Sequence, residues 1–158
     1  MLEIRKAEER DKPAIRQIIV EVISGGDTYT DSSEDETLRY WYTPDKHHYV
    51  AELDGEIVGT FWLRANQPGR GSHVGNAAYM VSSNARGKSV GRGMAEYSLE
   101  EAKRLGFTAM QFNFVVKSNT VAVKLWQSVG FEIIGQIPDA FDHSQNGMTD
   151  AYIMYRKL

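Results

Sequence analysis

The chain has 158 residues, which is the length of one domain and enough to bury a substantial core. Its net charge of −3 gives no positive field that would favour nucleic acid or an anionic membrane. The sequence has no cysteine, which excludes disulfides, thiolate metal sites and a cysteine nucleophile, and no metal site is predicted. No apolar run has the length of a membrane span and residues 1–6 lack a signal-peptide core, so we expect a cytoplasmic protein.

The first half of the chain predicts one strand, two helices and a β-hairpin, with a polar loop at 27–33. In chain order these elements are a strand at 2–7, a helix from Asp11 to Gly25, a helix at 34–43, and strands at 48–53 and 56–63. The last two strands are joined by Asp54-Gly55, a pair that is typical of a tight hairpin turn.

The second half alternates strands and helices. Its predicted elements are a strand at 76–81, a glycine-rich loop at 82–93, a helix at 94–105, a strand at 110–116, a helix from Ser118 to Val129, a strand at 131–137, a long loop at 138–149 and a strand at 151–155. The order along the whole chain is β-α-α-β-β-β-α-β-α-β-β, which predicts an α/β fold with a mixed sheet and helices on both faces.

The glycine-rich loop predicts an anion site. A glycine-rich turn that leads into a helix presents free backbone N–H groups and the positive end of the helix dipole. Arg86, Lys88 and Arg92 add positive charge at the same place, so the expected ligand is a phosphate or pyrophosphate.

Two nucleotide-binding motifs fit this loop poorly. Gly87-Lys88-Ser89 matches the end of the P-loop motif, but the first glycine of that motif falls on Ser82, and no later strand ends in an Asp for magnesium. A dinucleotide fingerprint starting at Gly91-x-Gly93 has Glu96 in place of its third glycine.

Two other motifs resemble one enzyme family. Arg86-x-x-Ser89-x-Gly91 resembles the Q/R-x-x-G-x-G/A signature of the GCN5-related N-acetyltransferases, with Ser89 where the family usually has glycine. The segment from Asn119 to Phe131, with Ala122 and Leu125-Trp126, resembles the last helix of the same family. The element order also matches, so residues 1–158 are predicted to be a single N-acetyltransferase domain. The resemblance implies a mostly antiparallel sheet splayed in its middle, and acetyl-coenzyme A as the co-substrate.

The resemblance also implies how the cofactor is held. The backbone amides that would bind its pyrophosphate are those of Gly87, Lys88, Ser89, Val90, Gly91 and Arg92, beside the Arg86 side chain. A bulge in strand 76–81 would expose an amide near Met80 or Val81 to the acetyl carbonyl. Asn119 would bond the pantetheine arm and stabilise the leaving thiolate. Trp126 replaces the tyrosine that relatives often use as a general acid near the cofactor sulfur, and its indole cannot release a proton.

The proton acceptor is left open by the sequence. Many relatives carry a glutamate on the strand at 76–81, whereas this chain has Asn76 there, which cannot act as a base. A chain of water molecules is one route, and His73 and Asp27 are weaker candidates. Nothing resembles an activated serine, so we expect direct attack of the amine on the thioester.

On the acceptor side, the chain is similar to fungal acetyltransferases that act on proline analogues such as azetidine-2-carboxylate. Asn76 and Asn113 match asparagines that hold the substrate carboxylate there, and Tyr29 lies in an acceptor loop. The alternative is that these asparagines bond backbone in the core. The resemblance favours a small amino or imino acid over a peptide or protein amine.

An acyl-coenzyme A-binding regulatory module without catalysis is a second interpretation of the whole chain. A homodimer, which is common in the family, is left open by the sequence.

Overall fold

In a computed structural model, which describes residues 1–30 and 33–158, the chain forms seven strands and four helices. The strands are β1 (Leu2–Lys6), β2 (His47–Leu53), β3 (Glu56–Ala65), β4 (Val74–Val81), β5 (Ala109–Val116), β6 (Glu132–His143) and β7 (Gly147–Lys157). The helices are α1 (Lys12–Gly25), α2 (Glu34–Trp41), α3 (Val90–Arg104) and α4 (Thr120–Ser128).

All seven strands belong to one mixed sheet, in the order β1-β2-β3-β4-β5-β7-β6. The neighbours are antiparallel except β4 and β5, which run parallel and pair only at Val74 with Ala109 and at Gly75 with Met110. Beyond these two pairs β4 and β5 are no longer paired, so a gap opens in the middle of the sheet. The predicted fold class and its splayed centre are confirmed.

Each face of the sheet carries its own apolar core. On one face α1 and α2 pack on β3 and β4, and the largest buried side chains there include Trp41 and Trp62. On the other face α3 and α4 pack on β2 to β5. An aromatic row crosses this second face, with ring centroids 5.4 Å apart for Phe61 and Tyr79 and 4.7 Å apart for Tyr79 and Trp126. Helices therefore cover both faces, as predicted.

The prediction of a long loop at 138–149 is wrong, because β6 and β7 extend through this segment as a hairpin. Pro138 suggested a break, but β6 is the edge strand of the sheet, where a residue without an N–H group is tolerated. The ladder with β7 is irregular between Ile137 and Phe141, and Asp139 has a positive φ of 47°. The Asp150 carboxylate receives the Asp139 N–H at 2.9 Å and so stabilises this irregular stretch.

The hairpin tip contacts the end of α1. The Ser144 N–H donates to the Gly26 carbonyl oxygen at 3.0 Å, and its hydroxyl donates to the Gly25 carbonyl oxygen at 3.1 Å. Gly26 has φ +63°, and a Cβ there would lie 3.0 Å from Ser144 Cβ, so the contact is close. The loop that follows α1, which contains Tyr29, therefore starts in direct contact with the tip of the β6–β7 hairpin. In the part of the chain that is described, no helix has both the length and the apolar character needed to span a membrane.

Candidate active site

A cleft of about 370 Å³ passes through the sheet where β4 and β5 diverge. Its walls come from the loop at Thr28–Thr30, from α2 and β3 on one face, and from α4 on the other, with β4 and β5 between them. The cleft therefore connects the two faces of the sheet.

The backbone of β4 presents alternate amides to this gap. The Ser82 N–H donates to the Val58 carbonyl oxygen and the Asn66 N–H to that of Val74, both at 2.8 Å, so even-numbered residues of β4 bond to β3. Odd-numbered amides must point to the gap. In agreement, the Ala77 N–H donates to the Asn76 side-chain oxygen at 2.8 Å rather than to β3.

This alternation selects between the two predicted amide donors. The Val81 N–H faces the gap, whereas the Met80 N–H faces β3. The Met80 amide therefore cannot donate to an acetyl carbonyl in the gap, although the Met80 side chain lines the cleft. The predicted bulge in β4 is also wrong, because its register with β3 is continuous from Val81 to Gly75. The irregularity lies instead on β5, between Phe112 and Val115.

Tyr29, a predicted substrate residue, reaches the open edge of β4. Its hydroxyl donates to the Tyr79 carbonyl oxygen at 2.6 Å and accepts the Tyr79 N–H at 3.0 Å. The side chain thus satisfies both backbone groups that β5 would bond in a continuous sheet, and it holds the loop at Thr28–Thr30 against the gap.

Asn76 and Asn113, the predicted substrate-binding asparagines, both line the cleft, and each has its oxygen engaged. Asn76 is only 8% exposed, and its Oδ1 accepts the Ala77 N–H. Asn113 accepts from Gln111 Nε2 at 3.0 Å and donates to Asn66 Oδ1 at 2.7 Å. Because an amide NH₂ has two hydrogens, each asparagine keeps N–H capacity for a ligand.

The glycine-rich turn lies at the start of α3, which begins at Val90 and not at Met94 as predicted. The Gly93 N–H donates to the Ser89 carbonyl oxygen at 3.0 Å, which makes the amides of Ser89 to Arg92 the ones without an intrahelical acceptor. The Lys88 amide, also a predicted donor, already bonds the Ala85 carbonyl oxygen at 3.3 Å. Ser89 has φ +60°, so it adopts the left-handed conformation that glycine takes more easily.

Two glycines of this turn serve different purposes. A Cβ on Gly93 would lie 2.5 Å from Leu2 Cδ2, the end of a side chain on β1, so this glycine packs closely against β1. A Cβ on Gly91 would meet only Leu125 Cδ2, at an ordinary 3.6 Å. Packing within the chain therefore does not explain the glycine at position 91. A glycine is expected there if a ligand approaches the backbone closely, because a side chain would block it.

Asn119 and Trp126 form the α4 side of the cleft. Asn119 is the N-cap of α4, and its Oδ1 accepts the Ala122 N–H at 3.3 Å, so its NH₂ group is the part that can donate to a ligand. Trp126 is 8% exposed and packs against Phe112 at a centroid distance of 4.6 Å. It is therefore both a core residue and a wall of the cleft.

The candidate bases do not reach the cleft. Asp27 and His73 are exposed and lie outside its lining, and the described lining residues include no carboxylate and no imidazole. Within residues 1–30 and 33–158, no group of three or more His, Asp or Glu side chains is placed to hold a metal ion. The side chains that the described lining offers to a substrate are hydrogen-bond donors and hydroxyls.

Sequence reasoning missed Trp41, Trp62 and Arg64, which line the cleft on the α1/α2 face of the sheet. The indole Nε1 atoms of both tryptophans and the Arg64 Nε are buried donors without a hydrogen-bond partner. Trp62 and Arg64 are two residues apart on β3, and this spacing in a strand places them on one face.

A family model described as the acetyltransferase (GNAT) family matches residues 4–131. The chain belongs to the acetyltransferase (GNAT) family. The predicted class, an N-acetyltransferase, and the predicted donor, acetyl-coenzyme A, are those of this family.

Among curated proteins, the chain is 38% identical to N-acetyltransferase aca1 of Schizosaccharomyces pombe over 111 residues, which cover 70% of this chain and 53% of the relative. The chain thus spans about half the length of that protein. Among solved structures, a GCN5-related N-acetyltransferase from Kribbella flavida is 42% identical, with a TM-score of 0.93 and coverage of 99% of this chain and 98% of that one. The structure of yncA from Salmonella typhimurium, solved with acetyl-coenzyme A, has the same fold at 21% identity, with a TM-score of 0.85 and coverage of 100% and 94%.

Proposed function

We propose that the protein transfers the acetyl group of acetyl-coenzyme A to the amine of a small amino or imino acid, by direct attack in a ternary complex. The observation that carries this proposal is the gap between β4 and β5, which joins a glycine-rich helix start on one face to a donor-lined cleft on the other. Donor and acceptor can therefore approach one another from opposite faces of the sheet.

The cofactor end of the site is the start of α3. The amides of Ser89, Val90, Gly91 and Arg92 hold the pyrophosphate, supported by the helix dipole and the exposed side chains of Arg86 and Lys88. The pantetheine arm then follows the gap past Asn119. The acetyl carbonyl receives the Val81 N–H.

The chemistry needs few groups. The neutral amine forms a C–N bond with the acetyl carbon, the carbonyl oxygen takes up negative charge, and the C–S bond then breaks to release the thiolate. A backbone donor to the developing oxyanion contributes roughly 3 kcal/mol to transition-state stability. Water in the cleft removes the amine proton, because the described lining has no side chain that is a stronger base. The Asn119 NH₂ group stabilises the leaving thiolate.

The acceptor side favours a small substrate with a carboxylate. Asn76 and Asn113 supply N–H donors on the two strands that flank the gap, and their amides add no charge beside the thioester. A cleft of about 370 Å³ that also admits the end of the cofactor suits an amino or imino acid better than a folded protein surface.

A thiol-release assay with acetyl-coenzyme A tests the proposal. The amine panel contains azetidine-2-carboxylate, 4-hydroxyproline, primary amino acids, polyamines and an N-terminal peptide. We expect turnover to be confined to the amino and imino acids and to fall at least tenfold in Asn113→Ala. Asn66→Ala is the matched control, since it removes Asn113's partner but no cleft donor. An equal loss in both variants would make the role of Asn113 structural.

The same assay separates the alternatives. Turnover of only the peptide or the polyamines would show that the protein is an acetyltransferase whose acceptor is not an amino or imino acid. Binding of acetyl-coenzyme A without turnover of any amine would favour an acyl-coenzyme A-binding regulatory module, a function for which the cleft's lack of a described carboxylate or imidazole is the supporting observation.

A further inference from the structure

We propose that Ala78 sets the size limit of the acceptor, because the carbon skeleton of the acceptor lies over its methyl group on the α1/α2 face of the gap. This inference rests on the proposed function and deepens it, since it places the carbon atoms of the substrate rather than its charged groups. It adds a residue of β4 that acts on specificity through its size and not through its chemistry.

The side chains of β4 alternate between the two faces of the sheet. Ala77 and Val81 pack on the α3/α4 core. Ala78 and Met80 pack on the α1/α2 core, as the alternation of side chains along a strand requires. Ala77 and Ala78 both line the cleft. Two adjacent alanines therefore face the cleft from opposite sides of the sheet.

Ala78 borders open space although its strand lies in the middle of the sheet. The neighbouring side chains on the same face are buried: Trp62, which pairs with Ala78, and Met80 are each 2% exposed, and Asn76 is 8% exposed. Ala78 itself is only half-buried. Protein interiors are close-packed, so a methyl group that keeps exposure among buried neighbours marks a space that the chain does not fill.

Aromatic side chains form the walls of this space. Trp62 lies beside Ala78 on β3, and Trp41 of α2 packs edge-on against Trp62 at a centroid distance of 6.3 Å. Tyr29 packs on the same face, held by its two hydrogen bonds to the Tyr79 backbone. We call the space bounded by these three aromatic residues, with Ala78 as its floor, the acceptor compartment. Because packing and hydrogen bonds hold its walls in place, a larger residue at the floor reduces the room for a ligand.

The acceptor compartment suits an apolar group. Its floor is a methyl group and its walls are aromatic rings, and the two cations near Trp62 are engaged elsewhere. Arg64 lies 3.5 Å from the Asp45 carboxylate, and the Lys46 ammonium donates to the Tyr40 carbonyl oxygen. An apolar pocket discriminates by size, and one methylene group changes kcat/KM by roughly 10- to 200-fold. The acceptor compartment therefore selects among acceptors by the size of their carbon skeleton.

The test measures kcat/KM for acceptors that share an amine and a carboxylate but differ in carbon skeleton: glycine, L-alanine, azetidine-2-carboxylate, L-proline and L-pipecolate. Ala78→Val adds two methyl groups at the floor of the acceptor compartment. We expect its loss relative to wild type to grow along the series, from less than about threefold for glycine to about tenfold or more for the largest acceptor that the wild type turns over. Comparing each acceptor with itself across variants cancels differences in amine basicity.

Ala77→Val is the matched control, because it makes the same change at the adjacent residue but on the α3/α4 face. Its overall rate is free to change, but the loss should be equal for all acceptors. Ala78→Gly is the reverse change, and it should raise kcat/KM for the largest acceptor relative to glycine by about threefold or more. Binding is measured in parallel as the increase in Tm that L-proline and glycine produce in the presence of coenzyme A. Ala78→Val should reduce the increase produced by L-proline more than that produced by glycine.

The outcomes separate the inference from the proposed function. If amino and imino acids are turned over but Ala78→Val lowers all of them equally, or leaves them unchanged, Ala78 does not limit acceptor size and the inference alone is wrong. A size-dependent loss in Ala77→Val instead would place the acceptor on the α3/α4 face and would also overturn it. If the wild type acetylates no amino or imino acid and none of them raises its Tm, the proposed function is wrong and the inference falls with it.

Discussion

Replacing Ser89 by glycine tests whether the cofactor turn is built on a strained backbone. Ser89 has φ +60° and ψ 18° at the N-cap of α3, and its hydroxyl makes no capping hydrogen bond. A left-handed conformation costs a non-glycine residue about 1–2 kcal/mol. Glycine recovers this cost, but its greater freedom in the unfolded chain gives back about 0.4–1 kcal/mol. The net prediction for Ser89→Gly is a gain of about 0.5 kcal/mol in unfolding free energy, or about 1–2 °C in Tm for a chain of this length.

The measurement is thermal and urea unfolding of Ser89→Gly beside Ser72→Gly. Ser72 has φ −73° and its hydroxyl donates to the Gly69 carbonyl oxygen at 2.7 Å, so glycine there relieves no strain and removes a bond. We expect Ser72→Gly to lose about 1 kcal/mol. The KM for acetyl-coenzyme A should stay the same or fall in Ser89→Gly, because the amides keep their positions. If Ser89→Gly loses as much stability as the control, the serine is not strained and the reasoning fails.

Three further changes have defined outcomes. Gly93→Ala should change unfolding free energy by no more than about 1 kcal/mol, because the end of the Leu2 side chain can turn away from the new Cβ and alanine gains about 1 kcal/mol of helix propensity, and urea unfolding measures this. Tyr29→Phe removes both hydrogen bonds to the Tyr79 backbone, so KM for the acceptor should rise severalfold in steady-state kinetics while Tm changes little. Arg104, one turn after Glu101 in α3, donates to the Glu101 carboxylate and is the main reason that the pKa of Glu101 is lowered to about 2. Its stabilising contribution is complete above pH 4.5 and is lost as the pH falls towards 2, so unfolding curves of wild type and Glu101→Gln should converge over that range.

The element order and the glycine-rich turn were predictable because each has a local signal, whereas the splayed sheet was implied only by the resemblance to the acetyltransferase family. Apolar periodicity marks the helices, and the glycines and basic residues mark the turn. The hairpin of β6 and β7 was missed because Pro138 normally ends a strand, and its tolerance depends on β6 being at the sheet edge, which no local pattern shows. The choice of Val81 over Met80 as amide donor likewise needed the register of β4 with β3.

Trp62 and Arg64 were missed for a different reason. A strand with one buried face alternates apolar and polar residues, but β3 lies inside the sheet and is covered on both faces, so its side chains from Val58 to Leu63 are all buried. In such a strand the sequence does not tell which side chains face which helices. The unpaired indole and guanidinium N–H groups become visible only when burial and hydrogen bonding are known for each atom.

The arrangement separates the two halves of the proposed reaction physically. The glycine-rich turn belongs to α3 on one face of the sheet, whereas Trp41, Trp62 and Arg64 lie on the other, and the cleft where β4 and β5 part is lined from both faces. Under the proposed function, substitutions on the α1/α2 face are therefore expected to change which amine is accepted while the backbone amides of Ser89 to Arg92, at the start of α3, keep their positions. If the proposed function holds, an altered acceptor preference is expected from substitutions on α2 and β3 as well as on β4 and β5, whereas the start of α3 belongs to a different element.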